Sequence, residues 1–117
     1  MQYMLLINED ESVYAGENGE AIMGETLAGH MAFGQALAEQ GIAFSGNRLK
    51  PASTATTIKW DYGSHSLHDG AFADTHEELG GYYIIEVPDL DAALEWAKKI
   101  PVPGKGAIEV RPIWEME

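Results

Sequence analysis

The chain has 117 residues, with 19 Asp and Glu against 7 Lys and Arg, a formal net charge of -12 and no cysteine. This length predicts a single domain, residues 1–117, that folds without disulfides, and the missing cysteines exclude a thiolate zinc site and a cysteine nucleophile. The charge argues against nucleic acid and membrane surfaces as partners, and with no apolar run long enough for a bilayer and no signal-peptide pattern we expect a cytoplasmic protein.

The N-terminal third predicts a strand, a connection and a helix. Residues 3–7 are apolar on both faces and predict the first strand. Residues 9–25 are acidic and glycine-rich without a sustained period, which predicts a solvated connection. From Thr26 to Gln40 apolar side chains recur on one side of a helix, and Gly41 is suited to end it.

The middle of the chain predicts short strands and turns. A strand is expected at residues 42–45, with Gly46 and Asn47 turning the chain. Alternation over residues 54–61 predicts a half-exposed strand, with residues 66–68 as its short return strand. Residues 71–79 predict at most one irregular helical turn, and residues 82–87 form a further strand that is apolar on both faces.

The C-terminal third carries the best-marked helix. Asp89 is a natural N-cap and Pro101 stops the helix. Residues 107–114 predict a last strand, in which Pro112 suits a strand end or an edge position. The order of elements predicts an α+β fold, with two helices on one face of an antiparallel sheet.

Two helices cover only one face of a sheet, yet two predicted strands are apolar on both faces. The second face therefore needs another cover. A second copy of the chain, packed sheet to sheet in a symmetric homodimer, supplies it most simply. The alternative is that residues 9–25 fold over this face, which their acidity disfavours.

Strings from residue 46 onward resemble the DGPF-type branch of the YCII-related family. They include His68-Asp69-Gly70-Ala71-Phe72 and Glu78-Leu79-Gly80-Gly81-Tyr82-Tyr83, together with residues 90–93 and 109–112. The resemblance implies a ferredoxin-like fold paired as a dimeric α+β barrel, in a family whose members mostly lack an assigned reaction. Some relatives are fused to or encoded with alternative sigma factors. The DGPF string that names this branch corresponds to residues 69–72, which we call the signature turn. Its proline is replaced here by Ala71, which loosens the turn after Gly70.

His30 and Asp69 are the candidate catalytic residues. His30 lies on the apolar side of the first predicted helix, and Asp69 lies in the signature turn. A distant member of the family is similar to a dehydrochlorinase that uses a His and Asp pair, so the resemblance implies that the two side chains meet in a cleft. A carboxylate that holds one imidazole nitrogen orients the other as a general base. The alternatives are an interface histidine and an aspartate that caps its own turn.

Two further groups of side chains are candidates for binding. Aromatic residues are expected to line a ligand pocket or, alternatively, to serve as core or dimer contacts; they are Phe33, Phe72, Tyr82 and Tyr83, with Trp60 and Trp114 as further candidates. Imidazoles and carboxylates near the signature turn lack a recognised metal-ligand spacing, so we expect no metal there; they are His65, His68, Asp69, Asp74 and His76.

The sequence leaves the function open between two classes. We expect no cofactor, because no phosphate loop or dinucleotide motif is present; a haem enzyme of the same architecture would have His30 as its obvious axial ligand. The first class is a small-molecule-binding dimer that acts as a cofactor-independent hydrolase or lyase, with His30 as base and Asp69 as its partner. The second is a non-catalytic ligand-binding or regulatory protein linked to an alternative sigma factor.

Overall fold

The computed structural model describes residues 1–72 and 76–116. In chain order its elements are β1 (Gln2–Glu9), α1 (Gly19–Glu39), β2 (Phe44–Arg48), β3 (Thr56–Asp61), β4 (Ser64–Asp69), β5 (Glu78–Glu86), α2 (Leu90–Ala97) and β6 (Gly106–Pro112). Short 3₁₀ helices precede α1 and β3, at Glu11–Tyr14 and Ala52–Thr54. Four strands form one antiparallel sheet in the order β2-β5-β1-β6, and β3 pairs with β4 in a separate sheet.

The expected α+β architecture is confirmed, and it is ferredoxin-like. Alternate residues of β1 are buried and join the side chains of both helices in one hydrophobic core, because successive side chains of a strand point to opposite faces. This core consists of Tyr3, Leu5, Ile7, Phe33, Leu37, Ile85, Val87, Ala93, Ala97 and Ile100. The β3–β4 pair is an insertion between the second and third strands of the four-stranded sheet.

Three local predictions at the ends of elements are confirmed. The carboxylate of Asp89 accepts a hydrogen bond from the Ala92 backbone N–H at 2.9 Å and caps α2. Gly41 follows α1 with a φ of 70°, a conformation in which an L side chain would be strained. Pro112 is the last residue of β6, which is an edge strand, so its missing N–H costs the sheet little.

The predicted start of α1 was wrong. The helix begins at Gly19 rather than Thr26, and a 3₁₀ helix precedes it within the segment predicted to be a solvated connection. Gly19 is buried, and a Cβ there would collide with the backbone carbonyl of Tyr14, so the close approach of these two segments requires glycine. The first two turns of α1 lack a clear apolar period, which is why the pattern did not reveal them.

The predicted turn at Gly46 and Asn47 was also wrong, because both residues lie inside β2. They pair with Tyr83 and Tyr82 of β5, and this ladder keeps the chain extended through Arg48. The predicted helical turn after Gly70 is absent at residues 71, 72 and 76–79, since β5 already begins at Glu78; residues 73–75 lie outside the described residues.

The β3–β4 pair, which we call the arm, stands apart from the four-stranded sheet. Tyr62 and Gly63 turn the chain between its strands, both with positive φ. One face of the arm is apolar and open, with exposures of 53% for Ile58, 68% for Trp60 and 67% for Leu67. The strand predicted to be half-exposed is therefore exposed on both faces in a single copy of the chain.

The four-stranded sheet has one face toward the helices and one face away from them. We call the second the open face, and its centre is apolar and partly exposed, with Met4 opposite Ile84 and Leu6 opposite Tyr82. The prediction that β1 and β5 are apolar on both sides is confirmed. None of these four side chains belongs to the hydrophobic core.

Candidate functional site

A cavity of about 150 Å³ lies between the N-terminal half of α1 and the sheet where β2, β5 and β1 meet. Helix α1 contributes Met23, Thr26, Leu27 and His30 to its wall. Tyr14 closes it from the 3₁₀ helix, so part of the segment before residue 25 lies on the helix side of the sheet rather than over the open face. The lining is predominantly apolar with a few polar groups, the usual composition of a small-molecule site.

Three glycines line the sheet side of the cavity, at positions 46, 80 and 81. A Cβ on Gly46 would lie 2.7 Å from Cδ1 of Tyr83 and 2.6 Å from the Tyr82 carbonyl oxygen. A Cβ on Gly80 would collide with the carboxylate of Glu9. The absence of side chains at these positions therefore makes room for the groups that shape the cavity.

His30 and Tyr83 form the polar centre of the site. The Nδ1 atom of His30 lies 2.8 Å from the Tyr83 hydroxyl, and the two rings are stacked with centroids 5.8 Å apart. Behind them the ring of Phe33 packs on Tyr83 at 4.8 Å and fixes its position in the core. The contact joins the middle of α1 to the middle of β5.

Burial favours the neutral form of both members of this pair. It lowers the pKa of His30 below its ordinary value of 6.5, and the Arg48 guanidinium lowers this pKa further. Burial also raises the pKa of the Tyr83 hydroxyl. In one tautomer the Tyr83 O–H donates a hydrogen bond to Nδ1. In the other, Nδ1–H donates a hydrogen bond to the Tyr83 oxygen and Nε2 carries the lone pair. Within the described residues Nε2 makes no hydrogen bond.

The cavity has a second polar group, formed by Glu9 and Tyr14. The Tyr14 hydroxyl donates a hydrogen bond to Oε2 of Glu9 at 3.0 Å, and burial followed by this contact raises the pKa of Tyr14. Arg48 Nη2 lies 3.0 Å from the Met23 sulfur. These four residues also line an adjoining cavity of about 270 Å³, so the two spaces form one cleft along β2.

The structure brings some of the predicted pocket residues together and separates others. The Tyr83 ring lines the cavity, and Phe33 is buried behind it in the core. Tyr82 borders the cavity, but its side chain lies on the open face, opposite Leu6. Phe72 is 76% exposed at the base of the arm, with the Lys59 ammonium 5.9 Å from its ring centroid, and it is not part of the lining.

Asp69 is not brought to the cavity in a single copy of the chain. It is the last residue of β4, pairs with Thr56 across the arm and is exposed. Residues of the arm do not contribute to either cavity. The His30 and Asp69 pair stays a prediction that a single copy of the chain does not assemble.

His65 and His68, near the signature turn, lie on opposite faces of the arm. The His65 ring packs on Trp60 with centroids 4.8 Å apart, while on the other face His68 Nε2 lies 2.9 Å from the Ser66 hydroxyl. Across residues 1–72 and 76–116 no three His, Asp or Glu side chains are arranged to hold a metal ion. Asp74 lies outside the described residues.

Sequence reasoning missed three polar residues of the cleft, Glu9, Tyr14 and Arg48. They come from separate segments, and no local motif connects them. One signal was present: Arg48 is the first basic residue of the chain, after seven acidic ones. The first cation after a long acidic stretch is a candidate for a specific role.

Comparison with known proteins gives a consistent result. The sequence model of the YCII-related domain family matches residues 1–117. The chain is also similar to an uncharacterised protein from Rhizobium meliloti (strain 1021), with 34% identity over 118 residues, which covers 97% of this chain and 92% of the relative. In the part of the chain that the structure describes, no helix is long and apolar enough to span a membrane.

Proposed function

This chain belongs to the YCII-related domain family, and on that basis we propose that it binds a small molecule in the cavity between α1 and the sheet. The observation that carries the proposal is the hydrogen-bonded pair of His30 and Tyr83 inside a largely apolar cavity of about 150 Å³. In proteins, a cavity of this size holds a molecule about as large as benzene. The string from His68 to Phe72 supports assignment to the DGPF-type branch.

A cofactor-independent hydrolase or lyase is the second candidate, and the neutral imidazole of His30 favours it. In the tautomer whose Nδ1–H donates to Tyr83, the Nε2 lone pair takes a proton from the ligand or from a water molecule, and His30 becomes an imidazolium. Tyr83 orients the ring but does not carry the negative charge that would stabilise the imidazolium. Because one copy of the chain does not supply Asp69 for that purpose, the geometry supports binding better than catalysis.

We propose further that the protein is a homodimer in which a second copy covers the open face. Met4, Leu6, Tyr82 and Ile84 present an apolar centre there, and burying it removes apolar surface from water. The exposed apolar face of the arm lies on the same chain and adds a second surface that an isolated copy leaves in solvent. In a symmetric dimer each of the two copies contributes both its open face and its arm to the contact.

A thermal-shift and NMR screen of small neutral, anionic and cationic compounds tests the binding proposal. We expect compounds that stabilise the wild type to perturb the amide signals of residues 46–48 and 80–83, and His30→Ala to weaken their binding at least fivefold. His68→Ala is the matched control, since His68 lies on the arm, outside the cavity. A hit that binds His30→Ala as tightly as wild type would remove His30 from the site.

Asp69→Ala belongs in the same series because it separates two arrangements of the site. Loss of binding in this variant, with folding intact, would mean that the carboxylate reaches the cavity from the second copy. Unchanged binding would restrict the site to residues of one protomer. For the catalytic candidate, turnover of a bound compound that His30→Ala abolishes is the required result.

A further inference from the structure

Arg48 occupies an unusual position for a basic residue in this chain. It ends β2, pairs with Gly81 and has its side chain on the helix side of the sheet, where it lines both parts of the cleft. Acidic residues outnumber basic ones by 19 to 7, yet among residues 1–72 and 76–116 no carboxylate lies within 4.0 Å of the Arg48 guanidinium. Its hydrogen bond goes to the Met23 sulfur.

A guanidinium group has five N–H donors in a planar arrangement that matches a carboxylate with two parallel hydrogen bonds. A thioether sulfur is a weak acceptor, and because Arg48 is exposed most of these donors face solvent, where a ligand can replace water. Resting on the proposed function of the cavity, we propose that its ligand is a small monocarboxylate, with the carboxylate on Arg48 and a compact apolar body toward Tyr83.

The walls of the cavity fit the apolar part of such a ligand. Ile7, Met23 and Leu27 line the same cavity as Arg48 and Tyr83. A body of about six carbon atoms fills a cavity of about 150 Å³. The polar pair of His30 and Tyr83 lines the same cavity and offers Nε2 to a hydroxyl or carbonyl group of the ligand.

The charges around Arg48 favour one negative charge over two. Glu9 lines the same cavity and Glu11 lines the adjoining one, so a second charge on the ligand adds repulsion while the site offers a single guanidinium. The net charge of -12 acts in the same direction. A phosphate monoester, which carries close to two charges at neutral pH, is therefore a poorer match than a carboxylate.

Titration calorimetry with four probes tests the inference: benzoate and hexanoate as carboxylates, benzyl alcohol as a neutral compound and phenyl phosphate as a dianion. We expect the wild type to bind at least one of the carboxylates at least tenfold more tightly than benzyl alcohol and phenyl phosphate. Added salt should weaken carboxylate binding, since the attraction is electrostatic.

Variants of Arg48 test the position of the carboxylate. We expect Arg48→Gln to weaken carboxylate binding at least tenfold, and Arg48→Lys to weaken it less because the charge remains. Arg111→Gln is the matched control, since Arg111 pairs with Glu109 on β6, lies outside both cavities and leaves the cavity charge unchanged. Melting curves of each variant establish that it is folded.

The outcomes distinguish the carboxylate inference from the small-molecule binding proposal on which it rests. Equal binding of benzyl alcohol and both carboxylates, or unchanged carboxylate binding in Arg48→Gln, overturns the carboxylate class and leaves the cavity as a small-molecule site. Tighter binding of phenyl phosphate than of either carboxylate overturns the preference for one charge. Failure of every probe, and of the neutral and cationic compounds in the wider screen, overturns both proposals.

Discussion

The Nδ1 atom of His30 lies 2.8 Å from the hydroxyl of Tyr83, and this contact joins α1 to β5 inside a largely apolar layer. A polar contact in such a layer fixes the relative position of helix and strand, because moving either would leave a desolvated polar group without its partner. It also holds the imidazole in one orientation toward the cavity.

Tyr83→Phe should lower the free energy of unfolding by about 1 kcal/mol, because it removes the hydrogen bond to His30 and keeps the ring that packs on Phe33. Tyr82→Phe is the matched control. Its hydroxyl accepts a hydrogen bond from Asn47 at an exposed position, so the loss should be smaller. Urea unfolding measures both, and equal losses would contradict a special role for the buried contact.

The contribution of His30 to stability should depend on pH. Because the folded-state pKa of His30 lies below its ordinary value, the unfolded chain binds the proton more readily. The stabilisation is present above about pH 6.5 and is lost as the pH falls from there through the folded-state pKa. Between pH 7.5 and 5.5, wild type should therefore lose more stability than His30→Gln.

The additional loss of stability in wild type, compared with His30→Gln, cannot exceed about 1.4 kcal/mol per pH unit, since one proton is involved. Urea unfolding of the two proteins at several pH values, with an NMR titration of the His30 ring, provides the measurement. Parallel stability curves for wild type and His30→Gln would mean that burial does not shift the titration of this ring.

Gly46→Ala should destabilise the protein by about 1–3 kcal/mol and narrow the cavity, because its Cβ would press on the Tyr83 ring and the Tyr82 carbonyl. Gly24→Ala in α1 is the contrasting variant. A Cβ there meets no atom of the described structure within 4 Å, so helix propensity should raise stability by about 0.5–1 kcal/mol. If Gly46→Ala unfolds at the same urea concentration as wild type, Tyr83 is not confined as described.

Leu6→Glu should prevent dimer formation, because it places a charge at the centre of the open face. Light scattering after size exclusion should give twice the chain mass for wild type and the single mass for the variant. Ala32→Glu, on the exposed side of α1, adds the same charge elsewhere and should remain dimeric. A wild type that is monomeric at tens of micromolar would overturn the proposed assembly.

The sequence predicted the sheet and the second helix well because their signals are local. The run of apolar residues in β1 indicates a strand, and the Asp89 cap defines the start of α2 without reference to the rest of the fold. The interior of β2 was missed because Gly46 and Asn47 are typical turn residues. Pairing with β5 determines their conformation, and that pairing is not visible in a single segment.

The candidate site was predictable only in part for the same reason. His30 and Tyr83 could be selected as a histidine on an apolar helix face and an aromatic residue on a buried strand, but their hydrogen bond spans 53 positions. Glu9 and Tyr14 are five positions apart, but Arg48 joins them only through tertiary structure. Asp69 was selected from a resemblance in sequence, and its place on the arm depends on where the insertion projects.

The arm can change in length without changing the rest of the fold. It pairs with itself rather than with the four-stranded sheet, and the Gly70 N–H donates to the Ala55 carbonyl at 2.7 Å where it joins the domain. Residue pairs can be added or removed beyond that junction without shifting the register of β2 against β5. The surface that the arm presents can therefore change through insertion and deletion, while the cavity stays intact.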